Sequence, residues 1–315
     1  MKLNEWLSVW LEKYTRQMVK HKTYYRYKYF IEKHINPKIG SVELEKINGE
    51  VLQEFITSEL QSGNLITKER LANNTVIGIF NILKQSLSLA YSLGKINNED
   101  YKKINKPNPV GRAIEAFEKE DQQRIERYCL KSKKNNYKGV LVCLYTGIRI
   151  GELLALTWDD IDFQTGIMSI NKTAFRIKID GKPKIVVDEP KTKDSNRIIP
   201  VPKALLSILN KVQRSSTSNY VISTRAGGMV STRAYQRTFQ NLLRRIRVHY
   251  RNFHTLRHTF ATRAIEMGMD VKTLSEILGH KNPMITLRRY THSMMSYKIS
   301  MMNKLGRVLY PQTFN

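Results

Sequence analysis

A stretch without apolar periodicity, residues 95–113, divides the sequence into two parts. It holds two prolines, one glycine and five basic residues, a composition that is typical of a linker. On both sides of it, apolar residues recur at spacings that indicate packed elements. A chain of 315 residues is long enough for two domains, each with its own core. We therefore predict one domain at residues 1–106, which includes the start of the linker, and a second at residues 107–315.

The amino-terminal domain is predicted to be helical. Its first helix is indicated by an apolar series at helical spacing, namely Leu3, Trp6, Leu7, Trp10, Leu11 and Tyr14. Two further helices are expected near residues 50–60 and 73–93, the latter stopped by Gly94. A further helix lies between the first helix and these two, and the four are expected to form a small helical bundle.

That second helix carries an unusual mixture of side chains. Thr23 is the expected cap, and Asn36-Pro37 is the expected end. Between them, residues 24–29 interleave tyrosines with basic residues. Such a face suits a DNA backbone, but tyrosines packed in the core beside solvated lysines would produce the same pattern. Both interpretations stay open at this point.

The second domain mixes strands with helices. Strands are predicted at residues 163–170 and 173–179 and as a pair within 185–202, with a turn at Gly181-Lys182-Pro183. Helices are predicted near 203–213 and 231–247, with three more between 254 and 290. The predicted fold class is therefore mainly α with a small β-sheet, a helical domain followed by an α+β domain.

The charge indicates the kind of partner. The chain has 53 Lys and Arg against 27 Asp and Glu, a formal net charge of +26, and residues 111–315 carry +20 of it. Such an excess on a chain of ordinary apolar content favours a polyanion, most often nucleic acid. No apolar run reaches the ~18 residues of a membrane span. Two cysteines are too few for a disulfide scaffold or a zinc ribbon. We predict a soluble cytoplasmic protein that binds nucleic acid.

Two short motifs carry residues suited to binding a phosphate. In the first, Thr146–Leu156, Arg149 follows a glycine that can end a helix, and Glu152 lies three positions later on the same face. An arginine fixed in this way suits bidentate phosphate binding, although a surface ion pair would look the same. In the second, His254 and Arg257 share one helical face with His258. The two histidines have zinc-ligand spacing, but the glutamate of a metalloprotease helix and a third ligand are missing.

Two further motifs follow near the carboxyl end. Leu278-Gly279-His280 ends a predicted helix, and Tyr290 follows ten residues later in Arg289-Tyr290-Thr291-His292. In this order and at these separations, the four motifs resemble those of the tyrosine recombinases, or phage-type integrases. The resemblance covers about 150 residues strongly, and the first 110 resemble the family's helical core-binding domain more weakly. It implies a catalytic domain of tyrosine-recombinase type and a C-shaped clamp around duplex DNA.

The resemblance also implies the site. Arg149, Arg257, His254 and His280 match the family's phosphate-binding and acid–base positions, with His254 in the acid/base role. Fixed cationic donors are what phosphodiester attack needs, because negative charge builds on the non-bridging oxygens. The family takes the proton for the leaving 5′-hydroxyl from a lysine on a β-hairpin. Lys191 is the matching residue, with Lys193 as the alternative.

Tyr290 is the expected nucleophile among sixteen tyrosines. Tyr297 and Tyr310 also lie near the carboxyl end, but neither has the spacing from Gly279-His280. A tyrosyl phosphodiester conserves bond energy, so no metal, ATP or other cofactor is expected. The chain also has no Walker-type phosphate loop.

We therefore expect a site-specific recombinase that acts through a 3′-phosphotyrosyl intermediate, for a phage or integrative mobile element. A Xer-like resolution recombinase, a catalytically silent DNA-binding relative and a type IB topoisomerase-like enzyme are the alternatives. Expected partners are duplex DNA at attachment or crossover sites, further copies forming a tetramer, and an excision factor or DNA-bending protein. The predicted location is the bacterial nucleoid.

The two ends of the sequence raise separate expectations. The core-binding helices begin close to Met1, so the chain either is a piece of a longer integrase or resembles the family's shorter members. An apolar series after the nucleophile predicts a tail helix that docks on a neighbouring copy or on its own domain, namely Ile299, Met302, Leu305, Val308 and Leu309.

Overall fold

The computed structural model describes residues 1–110, 116–179, 182–188, 196–280, 282–284, 299 and 301–306. The chain divides into two compact units, Met1–Ala113 and Ile114–Asn315. The described residues are mostly helical, with two small antiparallel sheets confined to the second unit. The predicted fold class, a helical part followed by an α+β part, is confirmed. Within the described ranges, no helix combines the length and apolar character that crossing a membrane requires.

The first unit is a helical bundle. Its helices are α1 (Leu3–Val9), α2 (His21–Phe30), α3 (Asn36–Ile39), α4 (Gly49–Ser62) and α5 (Asn73–Ser92). π-helical turns at Trp10–Thr15 and Ile31–Ile35 extend α1 and α2. The fully buried Trp6 joins the first and last helices, because its indole Nε1 donates to Ser86 O at 3.1 Å.

Two details of the second helix differ from the prediction. Thr23 is not its cap, because α2 already begins at His21. Asn36-Pro37 does not end the helical run either, and the chain stays helical to Ile39. Pro37 is tolerated because it lies in the first turn of α3, where a missing backbone N–H leaves no helical bond unmade.

Packing accounts for most of the aromatic side chains on α2. Tyr24 is buried and donates a hydrogen bond to Glu12, and the Tyr27 ring stacks on Trp10 with centroids 5.9 Å apart. Burial, followed by the hydrogen bond to Glu12, raises the pKa of Tyr24 to about 12. Tyr29 differs, since it is 48% exposed. One tyrosine of this helix is therefore buried in the core, Tyr25 and Tyr27 are half-buried against it, and Tyr29 is exposed.

The second unit surrounds one central helix. Its helices are α6 (Lys119–Lys131), α7 (Lys138–Thr146), α8 (Ile150–Ala155), α9 (Lys203–Arg214), α10 (Thr232–Arg245), α11 (Thr255–Glu266) and α12 (Val271–Leu278). Helix α7 is apolar along its length and is buried on almost every side, so it forms the middle of the core. The third helix predicted between 254 and 290 falls largely outside the described residues.

The strands form two separate antiparallel sheets. They are β1 (Ile161–Asp162), β2 (Ile167–Ile170), β3 (Thr173–Ile179), β4 (Lys182–Asp188) and β5 (Arg197–Pro200). One sheet has the order β1-β2-β5, and in the other β3 pairs with β4. In the first, Met168 lies opposite Ile199 and Ile170 lies opposite Arg197.

Three strand predictions need correction. The two strands predicted as a pair within 185–202 do not pair with each other, because β4 pairs with β3 and β5 pairs with β2. The strand predicted over 163–170 is interrupted, because the chain turns at Gly166 with a φ of +74° before β2 begins. The predicted turn residues Lys182 and Pro183 already belong to β4, where Pro183 lies opposite Lys178. A two-stranded sheet has only edge strands, and an edge strand tolerates proline because the missing N–H can face away from the ladder.

Candidate active site

Two helix ends hold Arg149. Helix α7 ends at Gly147, whose φ of +66° lies in the left-handed region, and a Cβ at this position would lie 2.5 Å from Phe260 Cδ1. Glycine is therefore required both by the backbone and by the neighbouring ring. Arg149 follows as the residue before α8, and its guanidinium Nη1 lies 2.8 Å from Glu152 Oε1. The contact expected from their spacing is present.

Arg149 is also linked to a second helix end. Its Nη2 donates to Gly279 O at 3.2 Å, just after α12. Its side chain remains 38% exposed. The guanidinium is thus oriented by a carboxylate and a carbonyl while part of it stays open to a ligand.

Arg257 lies deeper, on α11, and is only 2% exposed. Its Nη1 donates to Gly147 O at 2.9 Å, and its Nη2 donates to Leu278 O at 2.8 Å. It therefore joins the end of α7 to the end of α12. A guanidinium has donors in a fixed planar fork, which suits it to bridging two backbone carbonyls at once.

His280 completes the group. Gly279 ends α12 with a φ of +64° and turns the chain so that His280 Nε2 comes within 2.8 Å of Arg257 Nη2. Since arginine can only donate, Nε2 must accept, and a neutral His280 then carries its proton on Nδ1. Arg149, Arg257 and His280, which are far apart in sequence, are thus brought together around residues 278–280.

His254 is the residue before α11, one turn ahead of Arg257, and it is exposed. Its ring meets the buried His258 ring edge-on, with centroids 4.6 Å apart. Among the residues that the structure describes, no group of three His, Cys, Asp or Glu is placed to hold a metal ion.

A buried carboxylate underlies the site. Glu152 is 4% exposed and accepts from Arg149 and also from Arg197, at the start of β5, whose Nη2 lies 2.8 Å from Oε2. Burial would raise the pKa of Glu152, but the hydrogen bonds and charges of Arg197 and Arg149 outweigh it and lower the pKa to about 2. Glu152 is therefore ionised at neutral pH. Arg197 was not among the predicted site residues.

Three predicted residues lie outside the described part of the chain. They are the nucleophile Tyr290 and the two candidate proton donors Lys191 and Lys193. Their roles remain predictions from the sequence. What the described residues supply is a set of cationic and hydrogen-bonding side chains at one place, which suits an anion such as a phosphodiester.

Family models and known relatives match most of this chain. The "Phage integrase family" model matches residues 110–296, and the model of the "Phage integrase, N-terminal SAM-like domain" matches residues 2–60. A XerC-like tyrosine recombinase of Caldanaerobacter subterraneus is 28% identical over 96% of this chain and 82% of that protein. The integrase of Staphylococcus phage L54a is 24% identical over 85% of this chain and 81% of that protein.

Solved structures show the same fold. The integrase of transposon Tn1549, in complex with a circular intermediate DNA, superposes with a TM-score of 0.80 at 20% identity, over 97% of this chain and 99% of that one. A lambda integrase dimer bound to a core site gives a TM-score of 0.69 at 17% identity, over 90% of this chain and 97% of that one. With a family model covering more than half of its length, this chain belongs to the phage integrase family and is a tyrosine site-specific recombinase.

Proposed function

We propose that this recombinase serves a phage or integrative mobile element and exchanges DNA strands through a covalent bond to Tyr290. In this assignment, residues 1–106 bind DNA around the crossover site, and residues 107–315 carry out the reaction. The observation that supports it most directly is the contact of Arg257 Nη2 with His280 Nε2, next to the Arg149 guanidinium.

The electrostatics of these residues fit a scissile phosphate. Arg149 and Arg257 bring two positive charges and Arg197 a third, and among the described residues Glu152 is a carboxylate that Arg149 and Arg197 share. A phosphodiester would therefore meet an excess of positive charge from side chains that are already oriented. Such preorganised donors stabilise the charge that develops on the non-bridging oxygens without having to reorganise during the reaction.

The proposed cleavage step replaces a DNA backbone bond with a bond to Tyr290. The Tyr290 hydroxyl oxygen attacks the phosphorus and passes its proton to His254, while the bond from phosphorus to the 5′-oxygen breaks. Lys191 gives a proton to that departing oxygen. The products are a 3′-phosphotyrosyl bond and a free 5′-hydroxyl, and attack by a 5′-hydroxyl from a partner strand reverses the step to rejoin the DNA.

A basic groove on the second unit supports DNA as the substrate. The groove lies between the β3–β4 hairpin and the start of α10, has a volume of about 550 Å³, and is lined by Arg176, Lys184, Arg233 and Arg237. Four basic side chains around one open groove match the phosphates of a duplex. On this basis duplex DNA is the proposed substrate, and the proposed place of action is the bacterial nucleoid because that DNA lies there.

Excision offers the test of the mobile-element role. When the protein is produced in cells that carry the DNA flanking its coding region, we expect a joined junction of the two flanks and a circular product. An excision factor or DNA-bending protein encoded nearby should raise the yield. Recombination only between two copies of a chromosomal or plasmid site, with no circle from the flanks, would assign the enzyme to resolution instead.

Lys191 is expected to protonate the leaving oxygen. Lys191→Ala should slow cleavage about 10²-fold or more, because the 5′-oxygen then departs as an unprotonated alkoxide. Sulfur in place of that oxygen leaves without a proton, so such a substrate should largely restore the rate. Lys193→Ala is the matched control and should need no rescue. If the sulfur substrate rescues Lys193→Ala but not Lys191→Ala, then Lys193, and not Lys191, protonates the leaving oxygen.

The tail is proposed to mediate self-association into the tetramer. Residues 301–306 are helical, and Ile299, Met302 and Leu305 are 55%, 65% and 47% exposed. The same unit has an apolar cavity of about 750 Å³, lined in part by Leu144, Phe260 and Met269. Because the unit leaves these tail side chains in solvent, the corresponding cavity of a neighbouring copy is the proposed acceptor.

Charges on the apolar face of the tail should therefore prevent assembly without preventing binding. Met302→Glu combined with Leu305→Glu is expected to leave the affinity of one copy for a half-site nearly unchanged. The same pair should abolish complexes that hold two DNA sites, as measured by native gel and sedimentation. Asn303→Glu, beside the apolar row, is the control. Normal assembly of the double variant would place the tail on its own unit.

A further inference from the structure

We propose that Arg197 is a positioning residue of the cleavage reaction, which holds Glu152 and the end of α12 so that Arg149 and His280 meet the phosphate. This inference rests on the proposed function, since it concerns the same site. Arg197 would not touch the DNA itself. Its effect would pass through the Glu152 carboxylate and the backbone of residues 277–279.

The contacts of Arg197 use the whole guanidinium. Nε donates to Ile277 O at 2.6 Å, while Nη1 and Nη2 lie 3.2 Å and 2.8 Å from the two oxygens of Glu152. The Arg197 side chain is only 6% exposed. A Cβ on Gly279 would lie 2.9 Å from Arg197 Nη1, so glycine at this position also makes room for the arginine. The side chain thus links β5, α8 and the end of α12.

Glu152 distributes its two oxygens between the two arginines. Oε1 lies 2.8 Å from Arg149 Nη1 and 3.2 Å from Arg197 Nη1. Oε2 lies 2.9 Å from the Arg149 backbone nitrogen and 2.8 Å from Arg197 Nη2. A carboxylate that is fixed from two sides in this way cannot rotate, so it fixes the Arg149 guanidinium in turn.

The charge balance gives Arg197 a second role. A buried carboxylate needs a cationic partner, and without Arg197 only Arg149 would fill that role among the contacts described for Glu152. Arg197 binds the other side of the carboxylate, so Glu152 keeps its charge and its orientation towards Arg149. Without Arg197, burial would raise the pKa of Glu152 from about 2. A protonated Glu152 would then hold Arg149 less firmly.

In the described part of the chain, Cys143, Asp160 and Lys172 also lie near this carboxylate. The Cys143 thiol on α7 is fully buried, and burial, followed by the charge of Glu152, raises its pKa well above the usual value, so the thiol stays neutral. Asp160 and Lys172 line a narrow cavity together with Glu152, but they form their own ion pair at 3.0 Å. The titration of Glu152 is therefore governed mainly by its two arginines.

The test compares Arg197→Met and Arg197→Lys with Arg263→Met. Arg263 is the control because it also pairs with a carboxylate, Glu266, and donates to a backbone carbonyl, that of Phe117. It lines the apolar cavity proposed for the tail and not the phosphate site, so its variant reports lost packing and not lost positioning. Single-turnover cleavage of a nicked substrate at saturating DNA is measured from ~pH 5 to ~pH 8. Melting temperature and DNA affinity are measured for each variant.

Arg197→Met should slow cleavage on the order of 10-fold at neutral pH, less than the loss of a donor that contacts the phosphate. DNA affinity should change little. The defect should widen as the pH falls, because Glu152 becomes protonated at a higher pH than in the wild type. Arg197→Lys should recover part of the rate, and Arg263→Met should lower stability without changing the pH profile. In a Glu152→Gln background, adding Arg197→Met should lower the cleavage rate little further.

Two outcomes would overturn the inference. One is a pH profile of Arg197→Met that runs parallel to that of the wild type. The other is a loss of cleavage rate in Arg197→Met that is no larger than its fall in melting temperature explains, judged by the relation between rate and melting temperature in Arg263→Met. Both presuppose wild-type cleavage through Tyr290. If the wild type forms no covalent complex, the proposed function itself fails, which is a different result from normal wild-type trapping with an unaffected Arg197 variant.

Discussion

Tyr290→Phe is expected to abolish covalent attachment to DNA while leaving folding and DNA binding intact. The substitution removes one hydroxyl oxygen, so packing should barely change. Arg149, Arg257 and His280 would still hold the phosphate, but no atom in this position could attack it. A duplex nicked next to the cleavage position traps the covalent complex. The short fragment that carries the freed 5′-hydroxyl diffuses away, so it cannot attack the phosphotyrosine and reverse the reaction. The wild type should form this complex and the Phe variant none.

Two controls make the comparison with Tyr290 decisive. Tyr297→Phe, seven residues further along the chain, should trap DNA at the wild-type rate. Binding of the nicked duplex, measured by gel shift, should be equal for the wild type and both variants. If Tyr290→Phe still forms a covalent complex, or if Tyr297→Phe abolishes it, the nucleophile has been assigned to the wrong residue.

Loss of either arginine should slow trapping by a factor of about 10² or more, as is typical for removing a preorganised donor from transition-state charge. Arg149→Ala is the cleaner variant, because its side chain is 38% exposed and its loss should cost little stability. Arg257→Ala removes a buried side chain and leaves the carbonyls of Gly147 and Leu278 without their donor, so melting temperature should fall as well.

Arg257→Lys separates the two effects of that position. The ammonium keeps the charge but has no planar fork, so it cannot serve both carbonyls and His280 at once. We expect a stable protein in which cleavage is still slowed strongly, while the substrate affinity changes less than the rate. A Lys variant that cleaves at nearly the wild-type rate would show that charge alone, and not the geometry of the guanidinium, is what the reaction needs.

Local patterns explain why part of the site was predictable. Arg149 with Glu152, and His254 with Arg257, lie within one helical turn, so the sequence spacing already indicates that each pair is close in space. Gly147 and Gly279 mark helix ends, and both have the left-handed backbone that favours glycine there. The strand at residues 173–179 and the helix after residue 203 were also predictable, because apolar periodicity is a local pattern.

Arg197 was missed because its partners are distant in sequence. Glu152 lies 45 residues away and Ile277 lies 80 residues away, and no spacing rule connects them. One signal was present: residues two apart on a strand face the same side, and Arg197 shares that side with the buried Ile199. A charged residue at an inward strand position indicates a buried partner.

Other features depended on tertiary context. The continuation of α2 through Pro37 and the pairing of Pro183 within β4 both contradict the usual role of proline as a breaker. Pro37 lies where a π-helical turn passes into the first turn of α3, a position at which proline is tolerated, and Pro183 lies on an edge strand. Sequence alone does not reveal where such an edge lies.

The most direct test of the account is to map the covalent bond itself. Wild-type protein is trapped on a nicked duplex in excess EDTA, digested with nuclease and protease, and analysed by mass spectrometry for a tyrosine that carries a nucleotide 3′-phosphate. We expect one modified peptide, with the phosphate on Tyr290, formed at an undiminished rate in EDTA. A modified Tyr297 or Tyr310, or trapping that requires a divalent metal ion, would contradict it.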